Sequence, residues 1–355
     1  PGGVQSFMRR IWEVMLSLED EGAKLALASV NDSPASLRGS LRLPRGVPAI
    51  AASGSHWVFI ARVLMLPRSD IVISGHLGQA IVAWLLKVLG LTRRYVVVLH
   101  GLEAWRRVSL FKRLAARGAD CVIATTRFTA NRFASENGID RTHLRVIPLC
   151  ADESVVVEGG RENLQGAFRV LTVGRQSATE QYKGFDHLID AVAVLLSTGR
   201  DITLHVVGEG DDQQRLRERA RARGVLGRVH FHGHLDDPQL QSAYASCDIF
   251  ALPSREEGFG IVYVEAMRHG KPCVGADSGG VPEVIDNGVC GLLVPYGNVP
   301  ALAAAFERLY DDAELRLRFG EAGRRKAEAM FSRTAFGDAC KQALQDVMRV
   351  SRAAR

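Results

Sequence analysis

Short apolar segments alternate with helical patterns along most of the chain, and this alternation restricts the fold more than any other feature. In the first half, strands are predicted at 24–30, 70–74, 95–99, 120–125 and 143–147. In the second half, strands are predicted at 168–173, 202–207, 229–232, 248–252 and 272–276. The predicted helices are 55–66, 77–89, 104–117, 127–136, 184–197, 211–223, 238–246 and 259–269. Regular alternation of this kind predicts an α/β fold with open parallel sheets and helices on both faces.

A polar, glycine-containing segment at 151–167 separates the two series and is typical of a domain linker. We therefore expect two doubly wound domains with a cleft between them, one over 1–155 and the other over 168–330. The helical tail at 331–355 is a candidate for crossing back to the first domain.

The start of the chain departs from the alternation. Gly2 and Gly3 lead directly into a helical pattern, whereas a glycine pair before a helix normally follows a strand in an α/β domain. The first strand is therefore either absent or precedes Pro1, and we expect the second.

Charge is divided unevenly between the two halves. Residues 1–150 hold 20 Lys and Arg against 10 Asp and Glu, whereas residues 151–355 hold 25 against 29. A basic first half favours acidic partners, such as phosphorylated substrates or an anionic membrane surface. The six scattered cysteines form no CxxC pair, which indicates reduced thiols and no zinc site. With no apolar run near 20 residues, we expect a cytoplasmic protein, soluble or peripheral at the inner face of the membrane.

The segment after the predicted strand 248–252 has the features of a ligand site. It holds a turn with Glu257 and the run Gly258–Gly260, then a helical pattern from about Phe259 that carries Glu265. Unpaired backbone N–H groups of Gly258, Phe259 and Gly260 would point out of the helix start, where they attract anions, above all phosphate.

Two cations also follow a predicted strand of the second half, as Glu257 does. Arg175 follows the predicted strand 168–173 and Gly174, and Lys183 directly precedes a predicted helix. Ligands of open α/β sheets bind at this edge, and a planar Arg with a point-charge Lys suits a diphosphate. The alternative is that both are solvated loop charges.

Several motifs occur together in one order. They are Gly174-Arg175 with Lys183-Gly184, Gly208-Glu209-Gly210, Glu257-Gly258-Phe259-Gly260, Glu265-Ala266-Met267 and Gly279-Gly280-Val281-Pro282-Glu283. With them the chain resembles the retaining glycosyltransferases of family four, which have the GT-B fold of two Rossmann-like domains. In the first half, Gly2-Gly3-Val4 and His100-Gly101 resemble the glycine loop and the sugar-facing His-Gly of the same family.

The resemblance implies specific roles. In the family, the acid at the position of Glu257 contacts the hydroxyls of the donor sugar, and that of Glu265 holds the ribose. Arg175, Lys183 and the helix start would stabilise charge on the leaving diphosphate by preorganised electrostatics. The implied activity is retaining transfer of a hexose from a nucleoside-diphosphate sugar to a glycan or lipid-linked glycan, for surface polysaccharide.

Other candidate site residues belong mostly to the first half. His100 ends a predicted strand and is expected to hydrogen-bond the donor sugar, as the resemblance suggests. His76, Glu103 and Trp105 are candidates for the acceptor side. In the second half, the motif Gly208-Glu209-Gly210 lacks the third glycine of a dinucleotide fingerprint, which disfavours a dehydrogenase. Gly208 is instead expected to line the nucleotide pocket.

No metal or other cofactor is expected, because no Asp-x-Asp motif stands where a metal–diphosphate bridge would form. The predicted helix 104–117 is basic and amphipathic, so it is either a solvated surface helix or a contact to an anionic membrane. Nucleic acid is not an expected partner, since the cations belong to no recognisable module. Two other functions stay open: a nucleotide-sugar epimerase of the same fold, and a non-catalytic nucleotide-sugar binder.

Overall fold

The computed structural model of the chain describes residues 3–19, 23–33, 35–37, 46–151, 164 and 166–349. The chain divides into two compact units: unit 1 is Pro1–Ile147 with Thr334–Arg355, and unit 2 is Pro148–Arg333. Gly2, most of the predicted linker 151–167 and the last six residues of the predicted tail lie outside the described residues.

Unit 1 is built on parallel strands. Its described strands are β1 (Leu27–Ser29), β2 (Ala49–Ala51), β3 (Ser69–Ser74), β4 (Thr92–Leu99), β5 (Cys121–Ala124) and β6 (Leu144–Val146). Its described helices before unit 2 are α1 (Gly3–Glu19), α2 (His56–Leu64), α3 (Ala80–Val88), α4 (Leu110–Arg117) and α5 (Arg127–Asn137). β1 pairs with β2, and β3-β4-β5-β6 form a second sheet in that order, with every pair parallel.

The core of unit 1 explains why its strands are readable from sequence. β4 is buried from Tyr95 to Leu99, with helices packed against it. A parallel strand covered in this way is a continuous apolar run, which is the pattern at 95–99. The predicted helix 104–117, by contrast, is wrong at its start: a 3-10 turn covers Leu102–Ala104, and α4 begins only at Leu110.

Unit 2 contains one six-stranded parallel sheet. Its strands are β7 (Phe168–Val173), β8 (Ile202–Val207), β9 (Val229–Gly233), β10 (Ile249–Leu252), β11 (Cys273–Ala276) and β12 (Gly291–Val294). Its helices are α6 (Phe185–Ser197), α7 (Gln213–Ala222), α8 (Asp237–Ser246), α9 (Ile261–Arg268), α10 (Val281–Val284), α11 (Val299–Asp311) and α12 (Ala313–Met330). The predicted α/β class with parallel sheets is confirmed.

The strand order of unit 2 shows where a ligand site is expected. The order is β12-β11-β10-β7-β8-β9, so the chain builds outward from β7 in one direction and then returns to place β10 on its other side. Such a reversal opens a crevice at the carboxyl ends of the two strands, where ligands of open α/β sheets bind. Arg175 follows β7, and Glu257 follows β10.

A last helix, α13 (Arg333–Arg349), belongs to unit 1 from Thr334 onward. Phe336 of α13 packs edge-on against Phe7 of α1, with 5.3 Å between ring centroids. Both rings are buried, so the two ends of the described chain share one apolar contact.

Candidate functional site

Arg175 and Lys183 are brought together beyond the carboxyl end of β7. The Lys183 ammonium lies over Gly174, where a Cβ would be 3.7 Å from Nζ, and both cations contact the carboxylate of Glu180. Lys183 ends a 3-10 segment, Ala178–Lys183, and Gly184 follows with a φ of 79°. Gly184 is required there, because a Cβ would lie 2.5 Å from the Pro253 carbonyl oxygen.

The Gly208–Gly210 loop packs onto the same strand end. A Cβ on Gly210 would lie 1.8 Å from the Gln176 carbonyl oxygen, and one on Gly208 would lie 2.3 Å from that of Gly174. Gln176 is buried and its Nε2 donates to the Gly208 carbonyl oxygen at 2.8 Å. Within the residues described, Gly208 therefore has a clear structural use: it lets this loop close onto the backbone that carries Arg175.

The turn after β10 differs from the prediction. Helix α9 begins at Ile261 rather than about Phe259, and Gly260 precedes it with a φ of 83°. The Tyr263 N–H donates to the Gly260 carbonyl oxygen at 3.0 Å, so the first-turn N–H groups belong to Ile261 and Val262 instead of Gly258, Phe259 and Gly260. The Phe259 side chain is buried and packs edge-on against Phe331 at 5.4 Å, where it anchors the turn to the core.

The turn also ties three loops together. The Arg255 N–H donates to the Tyr182 carbonyl oxygen at 2.9 Å, which joins the turn to the 3-10 segment of Lys183. On the other side, the Gly280 N–H donates to the Glu257 carbonyl oxygen at 2.8 Å. The backbone of Glu257 is thus held by the loop that carries Gly279-Gly280, one of the motifs of the sequence.

Glu257 is half-buried, and so are Glu265 and Lys183. Burial raises the pKa of Glu257, Lys183 lowers it and Glu180 raises it, so these three groups act on one another electrostatically. Glu257 precedes α9, so the turn and not the helix fixes its position.

Glu265 has a partner that the sequence did not reveal. The hydroxyl of Tyr244, a buried residue on α8, donates to Glu265 Oε2 at 2.7 Å. Burial raises the pKa of Glu265, and this hydrogen bond opposes the rise. The Tyr244 ring in turn stacks on His269, with 5.8 Å between centroids, which fixes the orientation of the hydroxyl.

If Glu265 holds the ribose of a donor, as the family resemblance implies, replacing Tyr244 with phenylalanine should raise the donor KM about tenfold and change kcat much less, because the hydrogen bond that orients the carboxylate is lost. The substitution also removes the bond that lowers the pKa of Glu265. The carboxylate would then become protonated at a higher pH, and the acid limb of kcat/KM would move upward in pH.

Steady-state kinetics over a pH series measure both effects. Tyr310→Phe is the matched control, since it removes a tyrosine hydroxyl from unit 2 without touching Glu265. An unchanged donor KM with an unshifted acid limb in Tyr244→Phe would show that the hydroxyl does not position Glu265.

In unit 1, His100 and His76 lie at the carboxyl ends of the neighbouring strands β4 and β3. His100 Nε2 is 2.7 Å from the Gly75 carbonyl oxygen, which can only accept, so Nε2–H donates and Nδ1 is the acceptor. Burial lowers the pKa of His100, which favours the neutral ring. The His76 ring stacks on His100 with centroids 6.4 Å apart, and His76 Nδ1 accepts from the Gly78 N–H at 2.9 Å.

Glu103 and Trp105 both hold the segment that follows β4. Glu103 Oε1 accepts from the His100 backbone N–H at 2.6 Å. Trp105 is buried, and its indole N–H donates to Thr129 Oγ1 at 3.0 Å. The assignment of Trp105 to the acceptor side is corrected for that reason: it belongs to the core. Gly3 begins α1, whose Phe7 packs edge-on against His100 at 5.4 Å.

Among the described residues, no cluster of three or more His, Cys, Asp or Glu side chains could hold a metal ion. Nor does any helix of that part of the chain have both the length and the apolar character needed to cross a membrane.

Two units built on parallel sheets, with cations and acids at strand ends of the second, have the architecture of the GT-B fold. Comparison with known families agrees: Glycosyltransferase Family 4 matches residues 4–155, and Glycosyl transferases group 1 matches residues 162–326. The chain belongs to the group 1 glycosyltransferases, in the family-four type.

Individual relatives agree with this membership. The chain is 30% identical over 278 residues to a GDP-mannose-dependent alpha-(1-6)-phosphatidylinositol monomannoside mannosyltransferase of Mycobacterium tuberculosis, covering 74% of this chain and 71% of the relative. It is 37% identical over 169 residues to the alpha-D-kanosaminyltransferase of Streptomyces kanamyceticus, covering 48% of this chain but only 43% of that protein. The crystal structure of Anabaena HepE in complex with UDP has a TM-score of 0.78 at 22% identity, covering 98% and 97% of the two chains.

Proposed function

We propose that the protein transfers a hexose from a nucleoside-diphosphate sugar to a hydroxyl group of a glycan or lipid-linked glycan, with retention of the anomeric configuration and without a metal ion. The observation that carries this proposal is the set Arg175, Lys183, Glu257 and Glu265 around the β7–β10 switch point of unit 2. Relatives named as mannosyltransferases and as a lipopolysaccharide core glycosyltransferase support a role in glycan biosynthesis.

Donor binding follows from the chemistry of these residues. A diphosphate needs compact positive charge, which Arg175 and Lys183 supply. Carboxylates accept hydrogen bonds from vicinal hydroxyls, so Glu265 suits the ribose and Glu257 the sugar. HepE was crystallised with UDP and with UDP-glucose, which supports a nucleotide-sugar donor here without naming its base.

The reaction breaks the bond between the anomeric carbon and the phosphate oxygen, and forms one between that carbon and the acceptor oxygen. Negative charge grows on the leaving diphosphate, and Arg175 and Lys183 stabilise it in place of a divalent cation. For retention, the acceptor attacks from the face that the phosphate leaves, and a phosphate oxygen takes the acceptor proton. His100 is proposed to accept a hydrogen bond from a sugar hydroxyl through Nδ1.

One assay separates this function from its two alternatives. The purified protein is incubated with a panel of nucleoside-diphosphate sugars, with and without a glycolipid and oligosaccharide extract, in the presence of EDTA. A transferase releases nucleoside diphosphate only when an acceptor is present. Conversion of the sugar without an acceptor would instead indicate an epimerase, and donor binding without turnover in any mixture would indicate a binder.

An anionic membrane surface is proposed as a further partner, through helix α4. Leu110 and Phe111 are 56% and 61% exposed at the start of this helix, and Arg107 and Arg117 are exposed beside its two ends. Ala115 and Ala116 face the core and fix the helix, so the apolar side chains stay directed outward. Exposed apolar groups flanked by arginines are what an interfacial helix presents to acidic lipid.

Sedimentation with vesicles tests this contact. We expect the protein to bind vesicles rich in phosphatidylglycerol at least about tenfold more tightly than phosphatidylcholine vesicles, since each surface cation adds affinity for acidic lipid. The double substitution Leu110→Ser and Phe111→Ser should remove most of that binding. Leu317→Ser is the control, because Leu317 is 76% exposed in unit 2. Equal binding by all three proteins would rule out α4 as the contact.

A further inference from the structure

Glu180 is a charged residue of the site that the proposed mechanism does not use. It lies in the 3-10 segment that ends at Lys183, and its side chain is only 14% exposed. Its Oε2 lies 2.9 Å from Lys183 Nζ and 3.3 Å from Arg175 Nε, and its Oε1 accepts a further hydrogen bond from Arg175 Nη2. One carboxylate therefore bridges both of the cations assigned to the donor.

The geometry of this bridge resembles that expected for the ligand. A fork of Arg nitrogens and one ammonium around two oxygens is also how a phosphate group is held. Although burial opposes it, hydrogen bonding from the two cations holds the pKa of Glu180 below its ordinary value, so the group is ionised at neutral pH. A diphosphate that approaches the same two cations meets an anion already in contact with both.

We propose that Glu180 competes with the donor diphosphate for Arg175 and Lys183, and thereby sets how tightly the site holds nucleoside diphosphates. The inference rests on the function proposed above and adds one residue to its site. Glu180 is assigned a role through the two cations, so it is a residue that tunes affinity and not a catalytic one.

The structure contains the means for this exchange. The Arg175 side chain is 68% exposed, so it can turn from Glu180 to a ligand without disturbing the core. Repulsion from Glu257 also favours displacement of Glu180 when a ligand binds, because the Glu180 charge is near enough to raise the pKa of Glu257. Bringing in a diphosphate adds a third anionic group, and like charges in a half-buried site repel.

Competition of this kind has a kinetic consequence. When the sugar has left, the nucleoside diphosphate remains bound to the two cations and must dissociate before the next turn. A carboxylate poised to recapture those cations weakens the product complex and favours its release. Removing the charge should therefore strengthen both donor binding and product inhibition.

The test is calorimetric titration of the full chain and of Glu180→Gln, which keeps the shape and one acceptor oxygen but loses the charge. The ligands are UDP, GDP, ADP and, as a probe without a base, inorganic pyrophosphate, all in EDTA. We expect the Kd of the nucleoside diphosphate that binds, and that of pyrophosphate, to fall about tenfold in Glu180→Gln. In turnover, the donor KM should fall and inhibition by the nucleoside diphosphate should strengthen, while kcat does not rise.

Glu321→Gln is the matched control: Glu321 pairs with Arg325 at 2.6 Å on α12, so its loss changes the net charge equally without touching the cluster. Its Kd values should stay within about twofold of the wild type. Glu180→Ser is a second variant, in case thermal unfolding shows that the amide disturbs the loop. An unchanged or weaker affinity in folded Glu180 variants would overturn the competition but leave the proposed function in place. Failure of every ligand to bind any of the proteins would overturn the proposed function itself.

Discussion

Glu257→Gln is expected to lower the rate of sugar transfer by about a hundredfold to a thousandfold, the cost of removing a preorganised electrostatic group from an active site. The Glu257 backbone carbonyl accepts from the Gly280 N–H, and the side-chain carboxylate lies within the field of Lys183. Glutamine keeps the size of the side chain but loses one acceptor and the negative charge. Both matter for a sugar that becomes positively charged in the transition state.

The stability of this variant should move in the opposite direction to its activity. The pKa of Glu257 is raised in the folded protein, so the stability linked to its proton is present at low pH and is lost as pH rises through the folded value. Burial disfavours the charged carboxylate, so replacing it with neutral glutamine should leave the melting temperature unchanged or slightly higher. A site residue kept at the expense of stability shows this combination.

Glu256→Gln is the matched control for this experiment. Glu256 is the preceding residue in the same turn and pairs with Arg255 at 3.3 Å. The control should retain activity within about threefold, as is usual for a weak surface pair. Equal loss in both variants would mean that the turn, and not the Glu257 carboxylate, is what the reaction needs.

Lys183→Ala is expected to reduce kcat/KM for the donor by about a hundredfold or more, because the diphosphate loses a cation in a half-buried position. Arg175 would remain but would be held more firmly by Glu180, which has no other cation among the contacts of the described residues. Donor binding and charge stabilisation should therefore fail together. Parallel titration and single-turnover measurements separate the two losses.

Lys326→Ala provides the comparison. Lys326 is similarly shielded, with an 11% exposed side chain, and pairs with Asp286 at 2.8 Å in the same unit. Its loss should cost stability without affecting donor kinetics. If Lys183→Ala kept wild-type kinetics while folded, the assignment of the diphosphate to this strand end would be wrong.

The strand ends of the site could be predicted because their cause is local. β7 and β10 are buried strands of a parallel sheet, so each is a short apolar run that stops where the polar site begins. The helix start after β10 could not be placed as well. The apolar pattern runs through Phe259, but Gly260 takes a left-handed conformation in which a Cβ would meet the Tyr263 ring at 2.5 Å, so α9 begins later.

Side-chain partners that depend on tertiary packing could not be predicted from the sequence. Glu180 lies in a polar stretch between Arg175 and Lys183, where nothing local indicates that one acid bridges both cations. Tyr244 is one of many apolar helix residues until α8 packs beside α9 and directs its hydroxyl at Glu265. For Trp105 the sequence predicted a ligand contact that the structure does not have. A tryptophan close to His100 is typical of a ligand site, but this side chain lies in the core.

Protein cations at the β7–β10 switch point are proposed to bind the diphosphate of a nucleotide sugar. This binding can be measured by calorimetric titration of UDP, GDP and ADP in EDTA, with the wild type and with the double variant Arg175→Ala and Lys183→Ala. We expect at least one nucleoside diphosphate to bind the wild type without metal, and the double variant to bind it at least about a hundredfold more weakly. Equal affinity for the two proteins, or binding only when a divalent cation is supplied, would contradict this proposal.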